Sequence, residues 1–187
     1  SYVHHPKFDC YLMSVYGNDF KWVGHPKDFD QWHLFENAIL VAHNAAFDSL
    51  VFRRLQGQVI IPQIGNPIWR CTASLAVYLS APRSLKGACK QLLNIDVDKT
   101  QRSKASGQSG DDLFGNEAMF NYALEDARLC FLLWEKFNHL WPDDEQELAT
   151  LTFEWAQEGI AVDLQTLEKS IQTLETQRFN AVQKLPW

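Results

Sequence analysis

His43-Asn44-Ala45-Ala46-Phe47-Asp48 follows the short apolar run Ala38 to Ala42, and Tyr122-Ala123-Leu124-Glu125-Asp126 lies within a long apolar segment. Each stretch carries a polar pair at i, i+4 spacing: Asn44 with Asp48, and Tyr122 with Asp126. Residues four apart share one face of a helix. Each helix therefore aims an acid and a hydrogen-bonding partner at the same point. Two such acids on different helices are the raw material of a divalent-metal site, and they turn an α/β sequence into a candidate metal-dependent phosphodiesterase.

Working outward, both flanks read as alternating strands and helices. Phe8 to Tyr16 reads as a strand that is largely apolar on both faces, and Phe20 to Val23 as a second strand after the turn Gly17-Asn18-Asp19. Asp28 to Asn37 reads as a helix, Ala38 to Ala42 as a buried strand, and Asn44 as the cap of a helix reaching about Leu55. A turn at Gly65-Asn66-Pro67 precedes a strand at Ile68 to Cys71. Helices follow at Thr72 to Leu79 and Ser84 to Leu93, separated by Pro82. Residues 96–116 are dominated by Asp, Lys, Ser, Gly and Gln and read as a mobile loop. Asn116 to Trp141 reads as one long helix capped by Asn116. Pro142 starts another helix to about Gln157, and Leu164 to Leu185 is a final polar helix with a thin apolar stripe.

Composition narrows the function classes. The chain has 187 residues, 46% hydrophobic and 21% charged, which suits one sizeable core. Seven Trp and twelve Phe predict an aromatic-rich interior. A net charge of −6 argues against a broad basic nucleic-acid surface but not against a nuclease whose metals neutralise phosphates locally. No apolar run approaches the roughly 20 residues of a membrane helix, and no signal peptide is visible. Cys10, Cys71, Cys89 and Cys130 show no CxxC pairing and no zinc spacing, and read as reduced thiols in a cytoplasmic protein. Ser1 follows no initiator Met, which reads as a fragment of a longer chain.

Each motif has a plain reading beside the chemical one. Asn44 serves as a helix cap, and Asp48 as a first-turn acid favoured by the helix dipole. Asp126 serves as a solvated residue or a partner of Arg128, and Tyr122 as a core aromatic. The basic residues Arg53, Arg54, Arg83, Lys86 and Lys90 read as solvated charges. Lys99, Arg102 and Lys104 in the loop are candidates for phosphate contacts.

Taken together and in this order, the HNxxFD after a strand and the YxxxD in a late helix resemble the second and third exonuclease motifs of the DEDD superfamily, in its tyrosine subclass. The closer resemblance is to the 3′–5′ proofreading domain of family A DNA polymerases of bacteriophage type. His5-Pro6, Trp69-Arg70-Cys71-Thr72 and Ser84-Leu85 resemble further family segments, and Glu158 to Asp163 resembles the point where the polymerase domain begins. The resemblance implies an α/β, ribonuclease H-like mixed sheet flanked by helices. It implies an exonuclease-like domain over 1–157 and the start of a polymerase-like segment over 158–187. It implies removal of 3′-terminal nucleotides from single-stranded DNA with two Mg²⁺ or Mn²⁺ ions roughly 3.5–4 Å apart. Asp126 and Asp48 would be the metal ligands, and Tyr122 would orient the attacking water. Asn44 and Phe47 would hold the terminal nucleotide. The partners would be DNA and the polymerase domain of the same polypeptide, in the cytoplasm of a bacterial or phage-infected cell.

One departure matters. The family's first motif, Asp-x-Glu, belongs on a strand ahead of Phe8 to Tyr16, and no such motif stands there; Asp143-Asp144-Glu145 lies after the third motif and reads as helix-start acids. The expectation is a chain that lacks the first strand and two of four metal carboxylates, and so is inactive as it stands. Two alternatives share the motifs: an RNA-trimming exonuclease related to ribonuclease D, and a non-catalytic exonuclease-like scaffold that supports a polymerase.

Overall fold

A computed structural model describes residues 2–65, 67–97, 117–159 and 161–185. The chain divides into two compact units, Ser1–Gln157 and Glu158–Trp187. In the first unit, β1 (Met13–Tyr16) pairs antiparallel with β2 (Lys21–Gly24), Met13 opposite Gly24 and Tyr16 opposite Lys21. β3 (Ile39–Ala42) runs parallel to β4 (Ile68–Cys71), in the register Ile39 to Ile68 and Ala42 to Cys71. α1 (Ala45–Gly57) is the crossover between β3 and β4, as a parallel pair demands. α2 (Thr72–Tyr78), α3 (Leu85–Ala88), α4 (Glu117–Phe137) and α5 (Asp143–Glu158) follow. In place of one mixed sheet, the described residues form two separate two-stranded sheets, one antiparallel and one parallel. α4 packs against β1, β2 and β3 and so spans both.

Several expected elements change. The strand expected over Phe8 to Tyr16 is reduced to Met13–Tyr16, because β2 offers only four partners; Phe8 to Leu12 runs on without a ladder. The helix expected over Asp28 to Asn37 is instead two 3-10 turns, Pro26–Asp28 and Trp32–Phe35. Phe29 is extended (φ −83°, ψ 122°), so the first turn stops there and a second begins at Trp32. The helix expected over Ser84 to Leu93 opens with Ser84 Oγ accepting from Gly87 N at 3.2 Å, then loosens into a π-helical turn over Cys89–Leu93. The helix expected to reach Trp141 ends at Phe137, followed by a 3-10 turn, Asn138–Leu140. The loop expected at 96–116 lies outside the described residues from position 98 onward, with its basic cluster and the Asn116 cap.

The aromatic surplus becomes one cluster. Phe29, Trp32, Phe35 and Phe52 are buried together, with Phe29 and Trp32 centroids 4.8 Å apart in an edge-to-face arrangement. A second cluster joins Ala76, Leu85, Ala88 and Cys89 to Leu129 and Leu133 of α4. These two cores fix α1 and α4, the two helices that carry the motifs. Across the other helices, Arg70 Nε donates to Gln146 Oε1 at 2.9 Å, and the buried Gln146 donates to Trp141 O at 2.7 Å, tying β4 to α5.

The second unit is described by itself. Asp163 caps α6 (Leu164–Val182), accepting from Thr166 N at 3.1 Å and from the Thr166 hydroxyl at 2.7 Å. The helix stops at Val182, short of the expected Leu185, and its apolar stripe of Leu164, Leu167, Ile171 and Leu174 is exposed.

Candidate functional site

The chain turns sharply between β3 and α1. His43 accepts from the Thr72 hydroxyl at Nδ1 (3.0 Å) while Nε2 donates to Arg83 O (2.8 Å), the one neutral tautomer that satisfies both partners. Thr72 is fully buried and also lies 3.3 Å from Cys130 Sγ. His43 thus locks the end of β3 to α2, to the Arg83 loop and, through Thr72, to α4. Sequence reasoning gave His43 no role; its position directly after an apolar strand was the available signal.

Asn44 was expected to cap α1 through its side chain. It does not: its backbone is left-handed (φ 98°, ψ 52°) and its side chain makes no capping bond. Asn tolerates this conformation better than most residues. The Asn44 carbonyl accepts from Phe47 N at 2.8 Å, so the kink itself starts the helix and leaves the amide on the surface. The backbone N–H groups at this junction also serve Cys71. Burial raises its thiol, but hydrogen bonds from the Ser74 hydroxyl and from the N–H groups of Ala45, Ser74 and Asn44 outweigh that and lower it.

Phe47 and Asp48 line a cavity of about 700 Å³ between the two sheets, with β1, β3 and the α4 residues Ala127, Phe131 and Trp134. Phe47 is 43% exposed, an aromatic ring left at the cavity wall beside an acid. Asp48 is reached by water from the cavity yet surrounded by protein, and this desolvation pushes its carboxyl up from 3.8 to about 6, partly countered by its own backbone N–H. Cys10, pushed up to about 11 mainly by burial, also feels the Asp48 charge.

The sign of this shift yields a test. Ionised Asp48 opposes folding, so the stability it permits is intact below pH ~4 and lost as pH rises through about 6. Asp48→Asn removes the titration. Its melting temperature relative to wild type should climb between pH 4 and 6 and then level off, measured by thermal unfolding across that range. A difference independent of pH would mean that Asp48 is fully solvated.

Tyr122 and Asp126 stand one turn apart on α4 and line a different cavity, of about 350 Å³, with Ile95, Asp96 and Val97. Ser14 Oγ donates to Ala123 O at 2.9 Å and anchors this turn of α4 to β1. Arg128, a partner that would have explained Asp126 without chemistry, is instead gripped by both oxygens of Glu125, each at 2.7 Å. Phe47 and Asp48 thus line one cavity, and Tyr122 and Asp126 line another; Asn44 is not among the lining of either. A link remains. Cys130 lies one turn beyond Asp126 on α4, and its thiol, pushed up to about 12 chiefly by burial, is raised further by the Asp48 charge.

Asp48 and Asp126 are oxygen ligands of the kind that Mg²⁺ and Mn²⁺ take. Among the described residues, however, no three His, Cys, Asp or Glu side chains gather closely enough to hold an ion. All four cysteines are free thiols, and Cys71, Cys89 and Cys130 are buried. No described helix is long and apolar enough to cross a membrane.

Comparison with known proteins agrees with the motifs. A family model described as 3′–5′ exonuclease, that of family A DNA polymerases, matches residues 11–142, a span that contains both motifs. No curated protein and no solved structure shows a significant match.

Proposed function

We propose a nuclease function on the premise that the chain belongs to the 3′–5′ exonuclease family of family A DNA polymerases. The reading is a proofreading exonuclease of the tyrosine subclass, acting on the single-stranded 3′ end of DNA. The observation that carries it is the HNxxFD at the β3–α1 turn, followed by YxxxD on α4, inside the matched span. Phe47, exposed at the start of α1, offers a ring on which a terminal base stacks, a contact worth about 1–3 kcal/mol per base. The Asn44 amide, held on the surface by its left-handed backbone, is placed to hydrogen-bond the same nucleotide. Tyr122 orients the attacking water beside Asp126. Asp48 and Asp126 are the carboxylates that family members would turn toward Mg²⁺ or Mn²⁺. The described residues alone do not assemble a two-ion site. The segment from Glu158 onward is read as the start of a polymerase region, and the exposed apolar stripe of α6 suits packing on further polypeptide of that kind.

It follows that this chain by itself should digest little or no DNA. Millimolar Mg²⁺ should raise its melting temperature by less than about 1 °C, the shift expected when ligand does not exceed the dissociation constant. The test is digestion of end-labelled single-stranded DNA and of RNA of the same sequence, by this chain and by a longer form of the polypeptide that supplies further carboxylates. DNA digestion by the longer form alone supports the proposal. RNA digested in preference to DNA would favour an RNA-trimming enzyme. Inactivity of every form would favour the non-catalytic scaffold. Robust Mg²⁺-dependent digestion by this chain would show that the first motif lies within it.

A further inference from the structure

Phe47 and Asp48 stand in the first turn of α1, and a side chain from α5 holds that turn from outside. Gln157, next to last in α5, aims its amide there. Its Nε2 donates to Ala46 O at 2.7 Å and to Ser49 Oγ at 2.9 Å. The Ser49 hydroxyl in turn donates to Ala46 O at 3.3 Å. The two acceptors bracket Phe47 and Asp48, and they lie 111 and 108 residues from their donor in sequence. Ser49 is fully buried, so bulk water does not replace the bond. Both Nε2 hydrogens are used. A flipped amide would set Oε1 against Ala46 O, acceptor on acceptor, so the partners fix its orientation.

The other half of the same amide is unfavourable. Gln157 Oε1 is buried and meets no donor among the described residues. A buried acceptor without a donor destabilises, and an apolar side chain of the same length avoids it. Filling space therefore does not call for Gln at this position, whereas the two donated bonds do. The turn they support is weakly started. Asn44 is left-handed and its side chain makes no capping bond, and Asp48 N reaches Asn44 O only at 3.4 Å. Helix starts leave N–H groups unsatisfied and fray first. We propose that Gln157 is a positioning residue for the HNxxFD turn: it fixes Ala46 and Ser49, and through them the ring of Phe47 and the carboxyl of Asp48. Its part in the reaction rests on the nuclease reading of those two residues; its hold on the turn does not.

The test is Gln157→Met, an unbranched side chain of similar size without the amide. Its first arm is native-state hydrogen exchange on this chain in EDTA, which needs neither nucleic acid nor activity. The Ser49 and Leu50 amides, which helical geometry bonds to Ala45 O and Ala46 O, should exchange about five- to tenfold faster, the factor that one or two net hydrogen bonds carry. The amides of Arg53, Arg54 and Leu55, farther along α1, should change by less than about twofold. The second arm uses a longer form of the polypeptide that digests DNA. There Gln157→Met should lower kcat/KM on single-stranded DNA by about three- to tenfold, and the loss should shrink on a Phe47→Ala background, because Gln157 acts through that ring. Unchanged exchange at Ser49 and Leu50, or acceleration spread evenly along α1, would make Gln157 a packing residue and overturn the proposal. Losses fully additive with Phe47→Ala would overturn its part in the reaction. A longer form that digests no DNA would sink the nuclease reading alone, and the exchange arm would still decide whether Gln157 holds the turn.

Discussion

Phe29→Ala is expected to lower the stability of the first unit by about 3–5 kcal/mol, the range for deleting a buried aromatic side chain. Phe29 is 3% exposed and its ring meets four others: Trp32 at 4.8 Å, Trp22 at 4.9 Å, Phe35 at 5.5 Å and Phe20 at 6.0 Å between centroids. Phe20 and Trp22 belong to the β1–β2 hairpin and its turn, whereas Trp32 and Phe35 pack onto Phe52 of α1. Phe29 is thus the joint between the antiparallel hairpin and the half of the unit that carries β3 and Asp48. Its loss leaves a cavity and also removes edge-to-face contacts worth about 0.5–1.5 kcal/mol a pair beyond their buried area. Domains of this kind hold about 5–15 kcal/mol in all, so the variant should be marginal at 37 °C. Chemical denaturation of wild type and variant measures it. Phe35→Leu, which keeps most of the volume, should cost under about 1.5 kcal/mol. A Phe29→Ala penalty of that smaller size would mean that the hairpin is not fastened through this ring.

The apolar and aromatic runs show where the sequence could be read and where it misleads. Ile39–Ala42 and Ile68–Cys71 are legible as strands because they are short runs bounded by turn residues, and the crossover helix between them makes the pair parallel; the expectation that Ala38 to Ala42 is buried fails, since Ile39 is exposed and the rest of the strand only half-buried. Phe29, Trp32 and Phe35 sit in a window apolar enough to suggest a helix, but the backbone is extended at Phe29 and helical only in short 3-10 turns on either side, a choice the spacing alone does not reveal. Asn44 illustrates a different limit. Asn is favoured both as a cap and in the left-handed region, and only the backbone decides between the two. At the site, i, i+4 spacing places Tyr122 beside Asp126 correctly, because that is a property of one helix. It says nothing about whether α1 and α4 turn their acids into one cleft. That depends on the sheet between them, which among the described residues is two separate pairs.

Tyr122→Phe, in a longer form of the polypeptide that digests DNA, should slow hydrolysis by at most about 10²–10⁴-fold and leave the melting temperature unchanged. Asp126→Ala should cost more. The tyrosine acts by positioning a water, and removal of one hydroxyl leaves that water reachable from other directions. The carboxylate, on this reading, contributes charge as well as position, and no other carboxylate on its turn of α4 replaces it: Glu125 is committed to Arg128. The two residues share a cavity and one turn of helix, so they form a coupled pair, and the double variant should be little slower than Asp126→Ala alone. Single-turnover digestion of single-stranded DNA separates these cases, since it reads chemistry rather than product release. Equal and additive losses would place Tyr122 and Asp126 in independent roles. A Tyr122→Phe variant with an unchanged rate and a lowered melting temperature would make Tyr122 a packing residue. The plain reading of the YxxxD segment, an amphipathic helix with one polar turn, would then be the right one.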